Sequence, residues 1–249
     1  MKNVRVPASE SVIIGAGRIR VGEYWDRSIV SLASEAVRLA LRDAGDPPAD
    51  AIYIGNAYAT ILSRQANLGA LVPEAMGHPH LESTTFEAAG ASGAAALRAA
   101  FLAVESGWIK TAVAVGVEKI TDVVGSKAAD AANLTLNYEY ESSQGLTVES
   151  QAALIARRYL ETYAHPRDIF RALAQRACEN AAMNPYARPR GSLRPDVYDR
   201  QAIPLPPLGM FDLAQLGDGA AAVVVTRAGN VPPNAVGRSE ERRVGKECR

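Results

Sequence analysis

Residues 83–100 (STTFEAAGASGAAALRAA) have the layout of an elbow that presents a catalytic group. A β-rich run is followed by a Gly-Ala-Ser-Gly turn and then by a helix of small apolar residues that starts near Ser92. The N-terminus of a helix carries free N–H groups and a partial positive charge, so it stabilises an anion. A cysteine placed there would have a lowered pKa and would be a good nucleophile. The elbow residue is Gly90, so the sequence predicts the setting of a covalent catalyst without its nucleophile.

Three interpretations of Gly90 remain open. A single base change converts a Cys codon to a Gly codon, so the glycine could be an error in the gene sequence; it could be a genuine loss; or it could mark different chemistry. The nearest hydroxyl, Ser92, would need a positioned general base to act as a nucleophile. The three histidines (His78, His80 and His165) lie in other segments, so we expect Ser92 to cap the helix instead.

Other candidate motifs have simpler explanations. Gly15-x-Gly17 follows a strand, but a dinucleotide-binding fingerprint needs a third glycine where Arg20 stands, and we expect a structural turn. Cys178 and Cys248 form no disulfide framework or zinc pattern. Cys178 lies on a predicted helix, so an inert core position is expected.

The elements that would position the elbow alternate between strand and helix. Helical spacing of apolar residues predicts a helix over 28–44, with Ser28 as N-cap and Gly45 at its end. Strands are predicted at 11–14, 51–58, 84–89 and 111–115, with helices at 65–76 and 92–106 between them, although Pro73 could break the first. This alternation indicates an α/β fold with a mostly parallel sheet and helices on both faces.

A long insertion interrupts this alternation, and we assign it to residues 118–210. It contains predicted helices at 148–163 and 166–183 and a proline-rich extended stretch at 184–208, after which a strand returns at 218–226. The predicted domains are therefore 1–117 with 211–230, and the inserted loop domain 118–210.

Composition excludes several classes of function. Of the 249 residues, 48% are hydrophobic, and 27 basic side chains balance 27 acidic ones, as in an ordinary soluble globular protein. The balanced charge gives no reason to expect a nucleic acid or a membrane as partner. Because the N-terminus has no apolar segment typical of a signal peptide, a cytoplasmic location is expected.

The C-terminal residues 238–248 (RSEERRVGKEC) show no periodicity and no apolar anchor. We interpret residues 238–249 as translated sequencing-adapter sequence, which gives Cys248 no functional weight. On this interpretation the gene is cut off at about Gly237 and the chain is a fragment.

Five segments resemble, in order, those of the thiolase superfamily, in particular its archaeal-type and sterol-carrier-type members, often labelled acetyl-CoA acetyltransferases. The matching segments are VGEYWDRS at 21–28, EAAGASG at 87–93, GVEKITD at 116–122, ALIARRY at 153–159 and DGAAA at 218–222. The family's elbow reads Glu-Ala-Ala-Cys-Ala-Ser-Gly, so Gly90 stands at the position of its nucleophilic cysteine.

The resemblance implies a thiolase-like layered αβα half, with a five-stranded mostly parallel sheet whose last strand is antiparallel, and an inserted loop domain. The second half of a thiolase, which supplies a histidine and a second cysteine as base and acid, is absent. It implies an acyl-CoA acyltransferase that acts by Claisen condensation or thiolysis, with the backbone N–H of Gly90 as an oxyanion donor. Gln144, Gly145 and Leu146 resemble the stretch that faces the pantetheine of CoA, although a glycine-containing helix entry explains them almost as well.

No cofactor is implied, since acyl-CoA is the substrate. The resemblance also implies a homodimer or higher oligomer for the intact parent, and a small zinc-ribbon/OB-fold protein as a partner. This chain, lacking the nucleophile and the second half, is expected to be inactive in acyl transfer. Two alternatives stay open: a non-catalytic acyl-CoA-binding or scaffold subunit of a thiolase complex, and a cysteine-free thiolase-like retro-aldolase.

Overall fold

The computed structural model describes residues 10–123, 126–188 and 191–231. The chain forms two compact units. The first comprises residues 10–19, 24–122 and 218–231, and the second comprises the described residues of 20–23 and 123–217. The segment interpreted as adapter sequence, 238–249, lies outside the described residues.

The first unit is built on a mixed sheet. Its strands are β1 (Ser11–Arg18), β2 (Ala51–Gly55), β3 (Glu82–Phe86), β4 (Thr111–Glu118) and β5 (Gly219–Arg227), and its helices are α1 (Ile29–Asp43), α2 (Ala59–Leu62), α3 (Leu68–Ala75) and α4 (Ser92–Ser106). The sheet order is β1-β5-β4-β2-β3. Strands β4, β2 and β3 are parallel, and β5 pairs antiparallel with both β1 and β4. The predicted α/β class and five-stranded sheet with an antiparallel last strand are confirmed.

Helices cover both faces of this sheet because successive side chains of a strand point to opposite sides. Ile52 and Ile54 of β2 pack with the apolar faces of α1 and α3, whereas Ala51 and Tyr53 belong to the cluster of α4. The result is a three-layer αβα arrangement in which the buried strands β2 and β4 are apolar on both faces, as expected for central parallel strands.

Helix α1 has the boundaries that its sequence predicts. The Ser28 hydroxyl accepts a hydrogen bond from the Ser31 N–H at 3.1 Å, which satisfies one of the free donors of the first turn. Gly45, with φ of +82°, follows the C-cap Ala44. Apolar residues at helical spacing, from Ile29 to Ala40, are buried against the sheet.

Gly15 and Gly17 do not form the predicted turn, because β1 continues through them to Arg18. A Cβ atom on either glycine would collide with the backbone of α1 at Ala40. The glycines are therefore needed for close packing of a helix on a strand, a tertiary requirement that the local sequence does not reveal.

Other boundaries differ from the sequence predictions. Strand β2 ends at Gly55 rather than at residue 58, and β3 occupies 82–86 rather than 84–89 because the elbow begins sooner. Pro73 lies inside α3 without ending it, although that helix starts only at Leu68. The short helix α2 was not predicted.

The second unit contains α5 (Lys127–Asn133), α6 (Val148–Tyr163), α7 (Ile169–Met183) and α8 (Pro195–Asp199). The predicted bounds of α6 are confirmed, and a capping box between Thr147 and Ser150 begins it. Helix α7 starts at Ile169 rather than at residue 166, α8 interrupts the stretch predicted as extended, and α5 was not predicted.

A buried polar network lies in this unit. The Tyr198 hydroxyl donates to Asp212 Oδ1 at 2.6 Å, and the Arg167 guanidinium pairs with Asp212 Oδ2 at 3.2 Å. Burial and the Asp212 carboxylate raise the pKa of Tyr198 to about 12, so its hydroxyl stays a hydrogen-bond donor at neutral pH.

Candidate functional site

The predicted elbow is present, between the end of β3 and the start of α4. After β3 ends at Phe86, Glu87 and Ala88 lead into a single 3₁₀ turn, Ala89–Ala91, and α4 begins at Ser92. Gly90 lies in the middle of that turn and is exposed. The sequence prediction placed the start of this helix near Ser92, where the structure has it.

Gly90 presents a backbone donor without a partner. Its N–H makes no hydrogen bond within the described part of the chain, whereas the flanking N–H groups of Ala89 and Ala91 are bonded to Glu87 Oε1 and the Ala88 carbonyl. The free N–H belongs to the turn that enters α4, where the partial positive charge of the helix is concentrated. The geometry is suited to an anion or a developing oxyanion.

The backbone at Gly90 also has room for a side chain. A Cβ atom built on it meets no other atom within 4 Å, and its φ lies outside the left-handed region that favours glycine. Nothing in the described fold therefore requires glycine at this position.

Ser92 does not cap α4, contrary to the prediction. The N-cap residue is Ala91, and no side chain caps the helix. The buried Ser92 hydroxyl instead accepts from the Ala88 N–H at 2.9 Å and donates to the Ala89 carbonyl at 2.7 Å. Because these contacts point back into the elbow, Ser92 holds the turn rather than the helix terminus.

Three glycines lie where the start of α4 meets the sheet, and one of them, Gly55, is needed for the close approach. A Cβ on Gly55, the last residue of β2, would collide with the backbone of Ser92 and Gly93. On β4, a Cβ on Gly116 would lie 3.5 Å from the Cα atom of Gly93. The elbow is thus fixed directly against the carboxyl ends of β2 and β4, the edge where α/β sheets bind ligands.

The same edge carries a partly buried carboxylate that the sequence analysis missed. Glu118, at the end of β4, accepts hydrogen bonds from the Asn56 amide (3.0 Å) and from the N–H groups of Ala57 (3.1 Å) and Tyr58 (3.2 Å). Burial raises the pKa of the Glu118 carboxyl, and these hydrogen bonds offset only part of that effect. Both carboxylate oxygens are engaged, so Glu118 fixes the loop after β2.

Tyr58, in that loop, lies within electrostatic reach of both Glu118 and Glu87. Burial, and then the negative charges of Glu118 and Glu87, raise the pKa of the Tyr58 hydroxyl. The phenol therefore remains protonated at neutral pH. Asn56 directly follows β2 and Glu118 ends β4, so polar residues at the carboxyl ends of strands are the sequence signal that could have drawn attention to them.

Asp218 connects three of the family-like segments. It is fully buried, and its carboxylate accepts from the N–H groups of Tyr24 (3.0 Å), Ile120 (2.8 Å) and Thr121 (2.9 Å) and from the Thr121 hydroxyl (2.8 Å). Burial alone would raise the pKa of the Asp218 carboxyl, but these hydrogen bonds lower it below its ordinary value. The segments around residues 24, 120 and 218 therefore meet at one structural carboxylate.

The stretch predicted to face pantetheine, Gln144, Gly145 and Leu146, belongs to the second unit, whereas Gly90 belongs to the first. Gln144 ends a 3₁₀ turn, Gly145 has φ of +85°, and Thr147 then caps α6. These contacts account for the stretch as a helix entry, and its contact with a ligand stays a prediction.

The remaining candidates carry no site. Cys178 is a buried free cysteine on α7, as expected, and His78 and His80 are exposed. Among the described residues, no group of three or more His, Cys, Asp or Glu side chains is arranged to hold a metal ion. None of the helices in the described ranges is both long and apolar enough to cross a membrane.

An open cleft of about 500 Å³ lies elsewhere in the first unit. It is lined by residues of α1, by Arg27 and Ser28 before it, and by Ala75 at the end of α3. No elbow residue contributes to it, so it is separate from the site around Gly90.

Comparison with protein families identifies the architecture. Residues 11–189 match the family model described as "Thiolase, N-terminal domain". The match includes the elbow and most of the second unit.

Curated relatives agree with this match. The chain is 35% identical over 218 residues to the acetyl-CoA acetyltransferases of Methanothermobacter thermautotrophicus and Methanocaldococcus jannaschii, covering 87% of this chain and 56% and 55% of those proteins. It is 27% identical over 230 residues to the 17-hydroxy-3-oxo-4-pregnene-20-carboxyl-CoA lyase of Mycobacterium tuberculosis, covering 89% of this chain and 58% of that protein. The chain thus spans little more than half the length of these relatives.

Solved structures show the same fold. A structure described as an Ltp2-ChsH2(DUF35) aldolase matches with a TM-score of 0.70 and 25% identity, over 91% of this chain and 59% of that one. An acetyl-CoA acetyltransferase from Syntrophomonas wolfei matches with a TM-score of 0.66 and 17% identity, over 95% of this chain and 67% of that one.

Proposed function

This chain belongs to the thiolase family, and from that premise we propose that its elbow receives the thioester carbonyl of an acyl-CoA, with residue 90 at the nucleophile position. The observation that carries the proposal is the exposed, unbonded N–H of Gly90 in the turn that leads into α4. Preorganised N–H donors of this kind stabilise the negative charge that develops on a thioester oxygen.

Acyl transfer additionally needs a nucleophile. A cysteine thiolate at residue 90 would attack the thioester carbonyl carbon, the carbonyl electrons would move to oxygen, and CoA would then leave as its thiolate. Glycine has no side-chain atom that can form this bond. We therefore propose that the chain with Gly90 binds the thioester without forming an acyl-enzyme, and that a cysteine at this position restores acyltransferase chemistry where a base and an acid are supplied.

The test is acylation by acetyl-CoA, followed by mass spectrometry of the intact chain. We expect no acylation of the Gly90 form and one acetyl group on the Gly90→Cys variant when each is tested within a full-length parent that supplies the base and the acid. A Cβ atom at residue 90 meets no other atom within 4 Å, so the backbone there accepts a side chain. The matched control is Arg98→Cys, which places an exposed cysteine in the second turn of α4, beyond the free N–H groups of the helix N-terminus.

Two results would contradict the proposal. Stoichiometric acylation of the Gly90 form would point to another nucleophile, such as Ser92. Equal acylation rates for Gly90→Cys and Arg98→Cys would show that the elbow gives a thiol no advantage.

A second candidate is a cysteine-free retro-aldolase, favoured by the glycine at residue 90 together with similarity to a lyase and to an aldolase. Retro-aldol cleavage of a β-hydroxyacyl-CoA removes the hydroxyl proton, breaks the Cα–Cβ bond and leaves the electron pair on an enolate. That enolate needs the same oxyanion donor but no nucleophile. Release of a carbonyl product from a β-hydroxyacyl-CoA, without acylation of the chain, would favour this candidate. Acyl-CoA binding without either reaction would favour a non-catalytic binding or scaffold subunit.

A further inference from the structure

The peptide group between Ala89 and Gly90 decides where the free N–H points. The Ala89 carbonyl and the Gly90 N–H belong to one planar trans peptide, so they point in opposite directions and rotate together. Any contact that fixes the Ala89 oxygen therefore also fixes the direction of the Gly90 N–H.

Ser92 supplies two such contacts. Its hydroxyl donates to the Ala89 oxygen at 2.7 Å, and its backbone N–H donates to the same oxygen. The hydroxyl oxygen also accepts from the Ala88 N–H at 2.9 Å. Ser92 is only 5% exposed, so little water is available to compete for these hydrogen bonds.

The conformation that these contacts hold is unfavourable for the residue involved. Ala89 has φ of +48°, in the left-handed region that residues with a Cβ atom rarely occupy. Without an external constraint the Ala89 backbone would relax, and the peptide that follows it would rotate. Ala89 therefore needs a holding contact, and the buried Ser92 hydroxyl provides one.

We infer that Ser92 is a positioning residue whose hydroxyl holds Ala89 in the left-handed conformation and so directs the Gly90 N–H toward a bound oxyanion. The last step rests on the proposed function. The conformational step does not, and it is tested without any ligand.

The experiment measures the Ala89–Gly90 peptide directly by NMR on the full chain. Labelling alanine carbonyls with ¹³C and glycine amides with ¹⁵N selects the Ala-Gly pairs of the sequence, which are Ala16-Gly17, Ala44-Gly45, Ala89-Gly90 and Ala228-Gly229. The signal of Gly90 is assigned by its loss in Gly90→Ala. We expect Ser92→Ala to shift the Gly90 amide and Ala89 carbonyl signals and to leave the other three pairs unchanged.

A second substitution separates positioning from general stabilisation. Glycine adopts a positive φ without strain, so in the Ala89→Gly/Ser92→Ala double variant the Gly90 amide signal should return to its position in Ala89→Gly alone. Residue 89 then carries no alanine label, so the Gly90 signal is read from the ¹⁵N spectrum of the labelled glycines. Hydrogen exchange of the Ala91 N–H, which closes the turn on Ala88, should be about tenfold faster in Ser92→Ala, since a lost hydrogen bond of ordinary strength corresponds to roughly this factor. Exchange should slow again in the double variant.

Ser106→Ala is the matched control. Ser106 lies at the other end of α4, and its hydroxyl also donates to a carbonyl and accepts from an N–H, those of Ala103 and Trp108. An unchanged Gly90 signal in Ser92→Ala would overturn the inference. So would a Gly90 signal in the double variant that stays shifted from its position in Ala89→Gly alone, or an equal shift in Ser106→Ala. Failure of the acetyl-CoA experiment alone would contradict the proposed function and leave the positioning role intact.

Discussion

At the scale of single residues, the elbow reverses the usual roles of alanine and glycine. The positive φ belongs to Ala89, whereas Gly90 has an ordinary backbone conformation and open space around it. A glycine is normally explained by a conformation that other residues cannot adopt, and that explanation fails here. The identity of residue 90 is therefore a question of chemistry, and the backbone would accept a cysteine.

Asp218 differs from residue 90 in that the fold needs its side chain, which accepts four hydrogen bonds. We expect Asp218→Asn to lower the free energy of unfolding at pH 7 by about 3 kcal/mol, since an amide nitrogen would face N–H donors in a buried site. Urea denaturation of the two proteins measures this difference. The control is Asp50→Asn, which replaces an exposed carboxylate that accepts from Lys110 and Thr111 and should have a smaller effect.

The effect of Asp218 should also depend on pH. Because the pKa of its carboxyl is lowered in the folded state, the ionised group stabilises the fold above its unfolded pKa of about 3.9. This stabilisation is lost as the pH falls through the folded value. The difference between the native chain and Asp218→Asn should therefore shrink below about pH 4. A difference that stays constant down to pH 3 would contradict this role.

At the scale of elements, the distance of α4 from the sheet depends on Gly55. A Cβ atom on Gly55 would collide with the backbone of Ser92 and Gly93, so glycine there lets the end of β2 contact the first turn of α4. We expect Gly55→Ala to destabilise the fold by about 3 kcal/mol, because the added methyl group meets backbone atoms that cannot rotate away. Gly90→Ala, where the methyl group meets nothing, should change stability by less than about 1 kcal/mol.

Thermal or urea denaturation of these two variants gives the comparison. If Gly55→Ala unfolds at the same denaturant concentration as Gly90→Ala, the result would contradict the close contact between Gly55 of β2 and the backbone of α4.

The sequence predicted those elements whose signals are local. The predicted bounds of α4 and α6 agree with the structure, in which Gly107 ends α4 and Thr147 caps α6. It failed where distant segments decide, as at Gly15 and Gly17, which pair with β5 as strand residues and pack closely against α1. For the same reason the elbow was found from sequence, but the contacts of Asn56 with Glu118 and of Asp218 with Thr121 were not, since each joins residues about 60 to 100 positions apart.

At the scale of the whole molecule, the outward face of α4 is more apolar than a solvated helix face. Phe101 and Leu102 are 45% and 46% exposed, and Arg98 is the charge between them and the elbow. Helix α6 also exposes apolar side chains, among them Leu154 (56%), Ile155 (72%) and Tyr163 (62%), but it carries the charged residues Arg157, Arg158 and Glu161 as well. Large uncovered apolar patches favour association, and α4 is chosen for the test because its exposed face carries fewer charges.

We therefore expect the chain to associate with itself in a concentration-dependent manner through α4, as measured by sedimentation equilibrium. Replacing Phe101 and Leu102 together by glutamine should weaken this association by about tenfold, because two large apolar anchors are lost. The unfolding midpoint should change little, since neither side chain is buried in the folded chain. The control is Leu154→Gln with Ile155→Gln on α6, which removes two apolar side chains that are more exposed, at 56% and 72%, from a helix with more charged residues. A chain that stays monomeric at all concentrations, or an equal effect of the α6 variant, would contradict the assignment to α4.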